Sequence, residues 1–235
     1  MKGFYKIAMV SLALAFAACD DSSSASNGNG ADSCTDDANS GDASQSVALC
    51  PETFEEGTTC DARDGKIYKV ATFGAQTWMI QNLNYNSSSC SVKNQSWCYE
   101  DNEANCQQYG RLYTWTAAMG LDKSYQTQYA NLSGTKRGIC PDGFHMPSDA
   151  EWQALYDYLD ANGNESEFAV TLSGEKSFGG FSGLNQKAFF WTADEDHNDE
   201  PLGGPTNVIV WTYASFFGGG SLMKDSGLSV RCVMD

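Results

Sequence analysis

Histidine, cysteine and serine are among the residues of this sequence whose types could support catalysis or metal binding, and their spacing is the first question. The chain has two histidines, His145 and His197, and nine cysteines. It contains no H-E-x-x-H zinc motif, no paired C-x-x-C motif and no G-x-S-x-G nucleophile elbow. A Ser-His-Asp triad stays open, because its members meet in space rather than in sequence. The sequence predicts no catalytic residue, no cofactor and no zinc site, and we expect His145 to be structural, hydrogen-bonded beside Ser148.

An acidic loop at residues 193–205, ADEDHNDEPLGGP, offers groups that could bind a ligand. Its side-chain oxygens are of the kind that calcium prefers, although the loop lacks the central Gly and terminal Glu of an EF-hand. Aromatic residues in strand-like runs on either side could stack on sugar rings. We therefore predict a ligand-binding site, with calcium as its one candidate ion, formed by Trp191, Asp196, Asn198, Asp199, Trp211 and Tyr213. The alternatives are a merely solvated loop and tryptophans that point into the core.

The first residues predict export. Lys2 and Lys6 accompany an apolar run from Ile7 to Ala18, which is shorter than the ~20 residues that span a bilayer, so residues 1–18 are expected to be a signal peptide. The segment FAAC, ending at Cys19, resembles the lipobox of bacterial lipoproteins, although leucine is usual where Phe16 stands. Removing Cys19 leaves an even set of cysteines, which favours a lipid on this thiol. The alternative is cleavage after AFA at 15–17 and a plainly secreted protein.

A polar tether and an acidic surface follow from composition. Residues 19–49 are rich in Ser, Asp, Gly and Asn, contain no Lys or Arg, and are expected to extend rather than fold. The net charge is −16 and becomes −18 without residues 1–18, which argues against nucleic acid as a partner. We expect an exported protein, lipid-anchored in a bacterial cell envelope at the outer membrane or cell surface, whose partners are the membrane, carbohydrate or another envelope protein.

Residues 50–235 are predicted to form a single domain, since the aromatic residues concentrate there and no second linker interrupts them. Residues 66–83 read as a hairpin around Gly74, and Thr114 is expected to cap a short helix ending at Met119. Ser148 and Glu151 form a capping box before an apolar stripe, which predicts a core-facing helix that ends at Gly163. Three further strands are predicted in the segments KAFFWT at 187, NVIVWTY at 207 and LSVRCV at 228.

Four segments resemble the Fibrobacter succinogenes major paralogous domain, which occurs largely on exported bacterial proteins and lipoproteins and has no established biochemical role. They are DGKIYKVATFGAQTWMIQNLNY, CYEDNEANCQQYGRLYTWTAAM, GICPDGFHMPSDAEWQAL and GLSVRCVMD, and the resemblance runs from about residue 60 to the C-terminus. MPSDAEW and SVRCV are also similar to sulfatase-modifying-factor domains, which have the C-type lectin-like fold. The redox-active cysteine pair of those oxidases is not recognisable here, so the resemblance implies the fold and not the activity.

The resemblance implies an α+β, C-type lectin-like fold with twisted antiparallel sheets, two helices, long loops and disulfide staples. Spacing suggests Cys98–Cys106 and Cys50–Cys60 as local disulfides. Cys140–Cys232 would tie the turn before the helix to the last strand, as in C-type lectin-like domains. Elimination leaves Cys34–Cys90, although connectivity cannot be read from sequence alone.

Two classes of function remain after these exclusions. The first is a non-catalytic binding module for carbohydrate or an envelope ligand, with its site in the loops from Trp191 to Tyr213, because loops on a rigid scaffold commonly carry function. The second is a structural or assembly lipoprotein of the envelope, and an enzyme of the sulfatase-modifying-factor type is a distant third. Aromatic rings that line one concave surface would favour the first class, and wholly buried rings would favour the second.

Overall fold

The computed structural model describes residues 49–53, 55–87, 94–163, 165–197, 207–213 and 217–235. Packing of Cα atoms divides the chain into two units, residues 1–33 and 34–235, and the first lies outside the described residues. The predicted signal peptide, Cys19, most of the tether, Cys34 and Cys90 also lie outside them. In the part of the chain that is described, no helix is both long and apolar enough to cross a bilayer.

Most elements of the described residues are short strands. The strands are β1 (Thr58–Asp61), β2 (Lys66–Phe73), β3 (Gln76–Met79), β4 (Ser96–Trp97), β5 (Leu112–Tyr113), β6 (Phe144–His145), β7 (Ser173–Ser177), β8 (Gly180–Leu184), β9 (Ala188–Glu195), β10 (Asn207–Tyr213), β11 (Phe217–Met223) and β12 (Val233–Met234). The α-helices are α1 (Glu103–Tyr109), α2 (Trp115–Met119) and α3 (Asp149–Asn162). Single 3₁₀ turns lie at Tyr99–Asp101, Lys123–Gln126 and Glu165–Phe168.

Two five-stranded sheets form the framework. The first is antiparallel, in the order β1-β2-β3-β12-β6, and Val233 of β12 lies between Trp78 and His145. The second has the order β11-β10-β9-β7-β8, and its β7–β9 pair is parallel whereas the others are antiparallel. Strands β4 and β5 form a separate small pair. The hairpin predicted around Gly74 is the β2–β3 pair, with Phe73 opposite Gln76.

Helix α3 begins and ends where its sequence predicts. Ser148 Oγ accepts from the Glu151 backbone N–H at 3.3 Å, and the Glu151 carboxylate accepts from the Ser148 N–H at 2.8 Å, which completes the capping box. Gly163 closes the helix in the left-handed conformation, with φ of 65°. Trp152, Leu155 and Leu159 of the apolar stripe are buried in a cluster that includes residues of both sheets.

The core consists of two aromatic-rich clusters. One packs around Trp115, Trp191 and Tyr113, and the other places the α3 stripe against Trp78, Phe168, Phe190 and Trp211. The Trp78 and Trp152 rings lie 4.7 Å apart, and Trp152 and Trp211 stack at 6.3 Å. Burial of such large rings supplies much of the driving force for folding.

Disulfides join three pairs of the described cysteines. Cys50 is bonded to Cys60, Cys98 to Cys106 and Cys140 to Cys232, with Cα separations of 5.9, 4.9 and 5.9 Å. These are three of the pairs that the sequence predicted. The third joins the turn before β6 to the residue before β12, and therefore links two neighbouring strands of the first sheet. The predicted Cys34–Cys90 pair lies outside the described residues.

The architecture is α+β, as predicted, with two differences in detail. The described residues contain three α-helices, whereas two are predicted, and the additional one is the short helix α1. The predicted strand at LSVRCV is mostly extended chain, and regular pairing begins only at Val233. The reason is that successive residues pair with different strands. Leu228 pairs with Tyr113 of the small β4–β5 pair, and Ser229 pairs with Phe190 of the second sheet. It therefore connects the sheets instead of extending one ladder.

Candidate functional site

The two tryptophans predicted to line a ligand site are core residues instead. Trp191 is fully buried and Trp211 is 3% exposed. Trp191 Nε1 donates to the Tyr113 carbonyl at 2.7 Å, and Trp211 Nε1 donates to Asp149 Oδ1 at 2.9 Å. Trp191 lies opposite Val210 and Trp211 lies opposite Phe190, so the two side chains point to opposite faces of the β9–β10 pair, and each face is covered by one of the two core clusters. Neither ring offers a face on which a sugar could stack.

The remaining residues of the predicted loop site are only partly described. Asp196 is 6% exposed and has partners within the protein, so its carboxylate is not a surface group. Tyr213 is half-buried against the second core cluster. Asn198 and Asp199 lie outside the described residues, and their part in ligand or calcium binding stays a prediction.

One group of potential metal ligands stands close together among the described residues, and it does not belong to that loop. Cys98, Glu103 and Cys106 have ligand atoms within 4.8 Å of one another. The two sulfurs are joined in a disulfide, however, so neither is a thiolate that could bind a metal. Arg111 Nη1 lies 3.5 Å from Cys98 Sγ and 3.6 Å from Cys106 Sγ.

His145 lies between two carboxylates at the start of α3. Its Nε2 is 2.8 Å from Glu151 Oε1, and its Nδ1 is 2.8 Å from Asp235 Oδ1. Both hydrogen bonds form together when each ring nitrogen carries a hydrogen, since carboxylate oxygens accept. Ser148 Oγ lies 2.8 Å from Glu151 Oε2. His145 therefore links strand β6 to α3 and to the last residue, as the structural role predicted for it requires.

The Glu151 carboxyl is held in its charged form by this arrangement. Burial acts to raise the pKa of Glu151, but hydrogen bonds from the Ser148 backbone and from the His145 and Ser148 side chains outweigh it. The net result is a pKa of Glu151 below its ordinary value.

An open polar cleft of about 370 Å³ adjoins this cluster, and we call it the His145 cleft. It is lined by His145, Ser148, Glu151, Lys136, Thr135 and Asp194, among others. Ala193 and Asp194 belong to the segment in which the sequence predicted a ligand site. The polar groups at its floor are already bonded to one another, which favours a supporting role for them.

A buried ion pair and its backbone partners lie next in sequence to two segments that line the His145 cleft, at Leu132 and at Asp194. Lys224 Nζ donates to Glu195 Oε1, and the Lys224 side chain is fully buried while that of Glu195 is 3% exposed. Glu195 also accepts from the backbone N–H groups of Ala130 and Asn131, at 2.9 and 2.7 Å. Lys224 donates further to the Gln128 carbonyl at 2.9 Å. The pair thereby ties the segment from 125 to 131, which precedes Leu132 of the cleft lining, to the second sheet.

A second cleft, of about 230 Å³, lies at the junction of β2, the segment after β3, and the end of α1. We call it the amide cleft because its lining is rich in carboxamide and tyrosine side chains: Gln81, Asn82, Asn84, Gln107, Gln108, Tyr68 and Tyr109. Lys66 lies at its edge and pairs with Asp64 at 2.9 Å. No acidic residue is among the described residues that line it.

The walls of the amide cleft are held by side-chain hydrogen bonds to the backbone. Asn82 Nδ2 donates to the Tyr109 carbonyl at 2.9 Å, and Asn82 Oδ1 accepts from Arg231 Nε at 2.9 Å. Gly110 has φ of 78°, and a Cβ there would lie 2.6 Å from the Asn82 Cβ, so only glycine allows this close approach. The walls are consequently preformed.

Comparison with known families identifies the central part of the chain. Residues 71–166 match the model of the Fibrobacter succinogenes major domain. This part of the chain is therefore similar to that domain. The match is shorter than the resemblance described above, which runs from about residue 60 to the C-terminus. Comparison with curated proteins and comparison with solved structures found no match.

Residues of the matched segment, 71–166, line both clefts. Asn82, Asn84 and the end of α1 lie within it, as do His145 and the capping box. Ala193 and Asp194 on the His145 cleft, and Lys66 and Tyr68 on the amide cleft, come from outside the match. The family match alone would not have delimited either cleft.

Sequence reasoning missed the amide cleft, although two signals pointed to it. The segments QNLNYN at 81–86 and CQQYG at 106–110 concentrate carboxamides beside tyrosines. Such residues are equally common on solvated surfaces, so composition alone could not indicate that the two segments meet. Their meeting depends on the path of α1, the helix that was not predicted.

Proposed function

We propose that this protein is an exported, lipid-anchored and non-catalytic domain of the bacterial cell surface that binds carbohydrate or another envelope ligand. The observation that carries the proposal is the presence of two open polar clefts on a framework that disulfides and buried hydrogen bonds hold in place. Preformed hydrogen-bonding clefts suit ligand binding because little ordering is left to be done when the ligand arrives. The lipobox-like segment at Cys19 supports the anchor.

The bonding of His145 supports a non-catalytic role. The Ser148 hydroxyl lies beside Glu151, whereas the ring nitrogens of His145 contact Glu151 and Asp235. A serine nucleophile needs a histidine nitrogen within hydrogen-bond reach of its hydroxyl. Here both ring nitrogens are committed to carboxylates that join separate parts of the fold.

A binding screen tests the proposal. The full-length protein is applied to an array of neutral and acidic oligosaccharides and to insoluble cellulose, xylan and peptidoglycan, in calcium and again in EDTA. We expect retention on at least one glycan, with loss on heat unfolding as the control. Absence of retention on every surface, with and without calcium, would overturn the proposal.

A structural or assembly role is the second candidate, and burial of the tryptophans favours it. Five of the six tryptophans are at most 3% exposed, and the remaining one, Trp97, is half-buried beneath Lys176. Without stacking surfaces of this kind, a sugar site must depend on hydrogen bonds. Cross-linking of the protein to itself or to envelope proteins in intact cells, combined with no glycan retention, would support this second candidate.

A further inference from the structure

We propose that the amide cleft is the binding site, and that its ligand is a neutral, hydroxyl-rich carbohydrate unit whose hydroxyl groups hydrogen-bond to the carboxamides of the lining. This inference deepens the proposed function and rests on it. It moves the site away from the loops between Trp191 and Tyr213, whose two tryptophans are buried.

The Asn84 side chain is the feature that requires explanation. Asn84 is 8% exposed and lines the cleft, and within the described protein its Oδ1 is a buried acceptor with no hydrogen-bond partner. Buried polar atoms are nearly always paired, and an unpaired one costs about 1–3 kcal/mol. The oxygen has less than 1 Å² of accessible surface, so a ligand donor reaches it, and removes that cost, when the Asn84 side chain turns toward the cleft.

The backbone of Asn84, in contrast, is fully used. Its N–H donates to Tyr68 Oη at 3.1 Å, and its carbonyl accepts from Lys66 Nζ. The protein thus fixes the position of residue 84 through its main chain and does not use the carboxamide oxygen. Burial raises the pKa of Tyr68, so its phenol stays neutral and keeps its hydrogen.

The rest of the lining matches hydroxyl groups rather than charges. Carboxamides both donate and accept, as sugar hydroxyls do, and the exposed side chains of Gln107 and Gln108 stand at the rim on α1. Lys66 is paired with Asp64, so the described residues that line the cleft offer no unneutralised cation to an anionic group. The net charge of −16 further opposes polyanionic ligands.

The size of the cleft limits how much of a ligand it holds. Its volume of about 230 Å³ is below the ~300–1,000 Å³ of sites that enclose a drug-sized molecule. The cleft therefore suits one ring of a longer chain, with the neighbouring rings in solvent. Helix α1, which carries Gln107 and Gln108, is fixed at Cys106 by its disulfide to Cys98.

Variants of the full-length protein test the site. Binding of cellohexaose, xylohexaose and mannohexaose is measured by calorimetry, with hexagalacturonate as the acidic probe. Asn84→Ala and Gln107→Ala should each weaken binding of a neutral hexasaccharide about tenfold, whereas Asn86→Ala, an exposed asparagine outside the cleft lining, should not change it. The melting temperature of Asn84→Ala should not fall, because the variant removes an unpaired buried acceptor. Gln107 is exposed, so its variant reports on binding even if Asn84→Ala folds poorly.

Each outcome separates this inference from the function on which it rests. Unchanged binding in both cleft variants, with wild-type protein that binds a hexasaccharide, would overturn the site and leave the binding function standing. Binding of hexagalacturonate alone would overturn the ligand class. Absence of binding to every probe in this experiment and in the glycan screen would overturn the proposed function as well.

Discussion

At the level of single residues, Arg231 shows how this fold accommodates a buried cation whose hydrogen-bond partners among the described residues are all neutral. Its guanidinium donates to Asn82 Oδ1 and to the carbonyls of Phe168 and Ala169, and its central carbon lies 4.5 Å from the centroid of the Phe168 ring. Burial lowers the pKa of Arg231 to about 9. Asn82 lines the amide cleft, so its hydrogen bond from Arg231 helps to hold that side of the cleft in position.

Glu151 gives a prediction for pH dependence at the same scale. Its folded-state pKa is depressed, so its charge stabilises the fold at pH values above the ordinary glutamate pKa of about 4.3, and this contribution is lost as pH falls through the folded pKa. Glu151→Gln should therefore lower the free energy of unfolding by about 1 kcal/mol at pH 7 and by progressively less below pH 4. Urea unfolding at pH 7, 5, 4 and 3 measures this difference.

The control for this prediction lies on the same helix. Asp160 is exposed near the end of α3, and Asp160→Asn should show no comparable loss at pH 7. An equal loss at every pH for Glu151→Gln would mean that packing, rather than charge, carries its contribution.

At the level of elements, the Lys224–Glu195 pair attaches the segment from 125 to 131 to the second sheet. Lys224→Met should destabilise the protein by about 3–5 kcal/mol, because it leaves the Glu195 carboxylate buried without its cation. Lys69→Met, at an exposed lysine, is the matched control. Denaturant unfolding measures both variants, and hydrogen exchange at the backbone amides of Ala130 and Asn131 should accelerate in the first.

The double variant Glu195→Gln with Lys224→Met distinguishes the ion pair from local packing. Removing both charges should restore part of the stability lost in Lys224→Met. Additive losses from the two substitutions would contradict a direct coupling between the side chains.

Elements with strong local signals could be predicted from sequence, and those that depend on distant partners could not. The capping box and apolar stripe of α3, and the alternation around Gly74, are local and were predicted correctly. Helix α1 has a polar sequence, and an Asn102 side chain that accepts from Ala104 N–H begins it, a signal too short to stand out. Strands β7, β8 and β11 are rich in glycine and serine, so their pairing follows from the sheet around them rather than from their own propensity.

At the level of the whole molecule, the disulfides differ in how much of the chain they restrain. Cys140–Cys232 closes a loop with a sequence separation of 92, whereas Cys98–Cys106 has a separation of 8. In the chain-entropy model, these disulfides lower the entropy of the unfolded state and thereby raise the free energy of unfolding by about 4.6 and about 2.5 kcal/mol. Serine variants of both cysteines in each pair should lower the free energy of unfolding in that order, as measured in urea, and the reverse order would contradict the model.

The anchor is a prediction for the intact protein in its host. Mass spectrometry of the mature N-terminus should find diacylated Cys19 as the first residue, because the segment ending at Cys19 resembles a lipobox and removing Cys19 leaves an even number of cysteines. Titration of the unfolded, unreduced protein should then find no free thiol. An N-terminus at Ala18, or an unmodified Cys19, would instead indicate a secreted protein.

The aromatic interior also decides which optical signals will report on this protein. The Trp152 ring lies 4.7 Å from the Trp78 ring and 6.3 Å from the Trp211 ring, and all three belong to one buried cluster with fixed ring orientations. Intrinsic fluorescence and near-ultraviolet circular dichroism should therefore follow unfolding sharply. No tryptophan is among the described residues lining either cleft, so a bound sugar should leave the emission spectrum nearly unchanged, and titrations will need calorimetry or an introduced fluorophore.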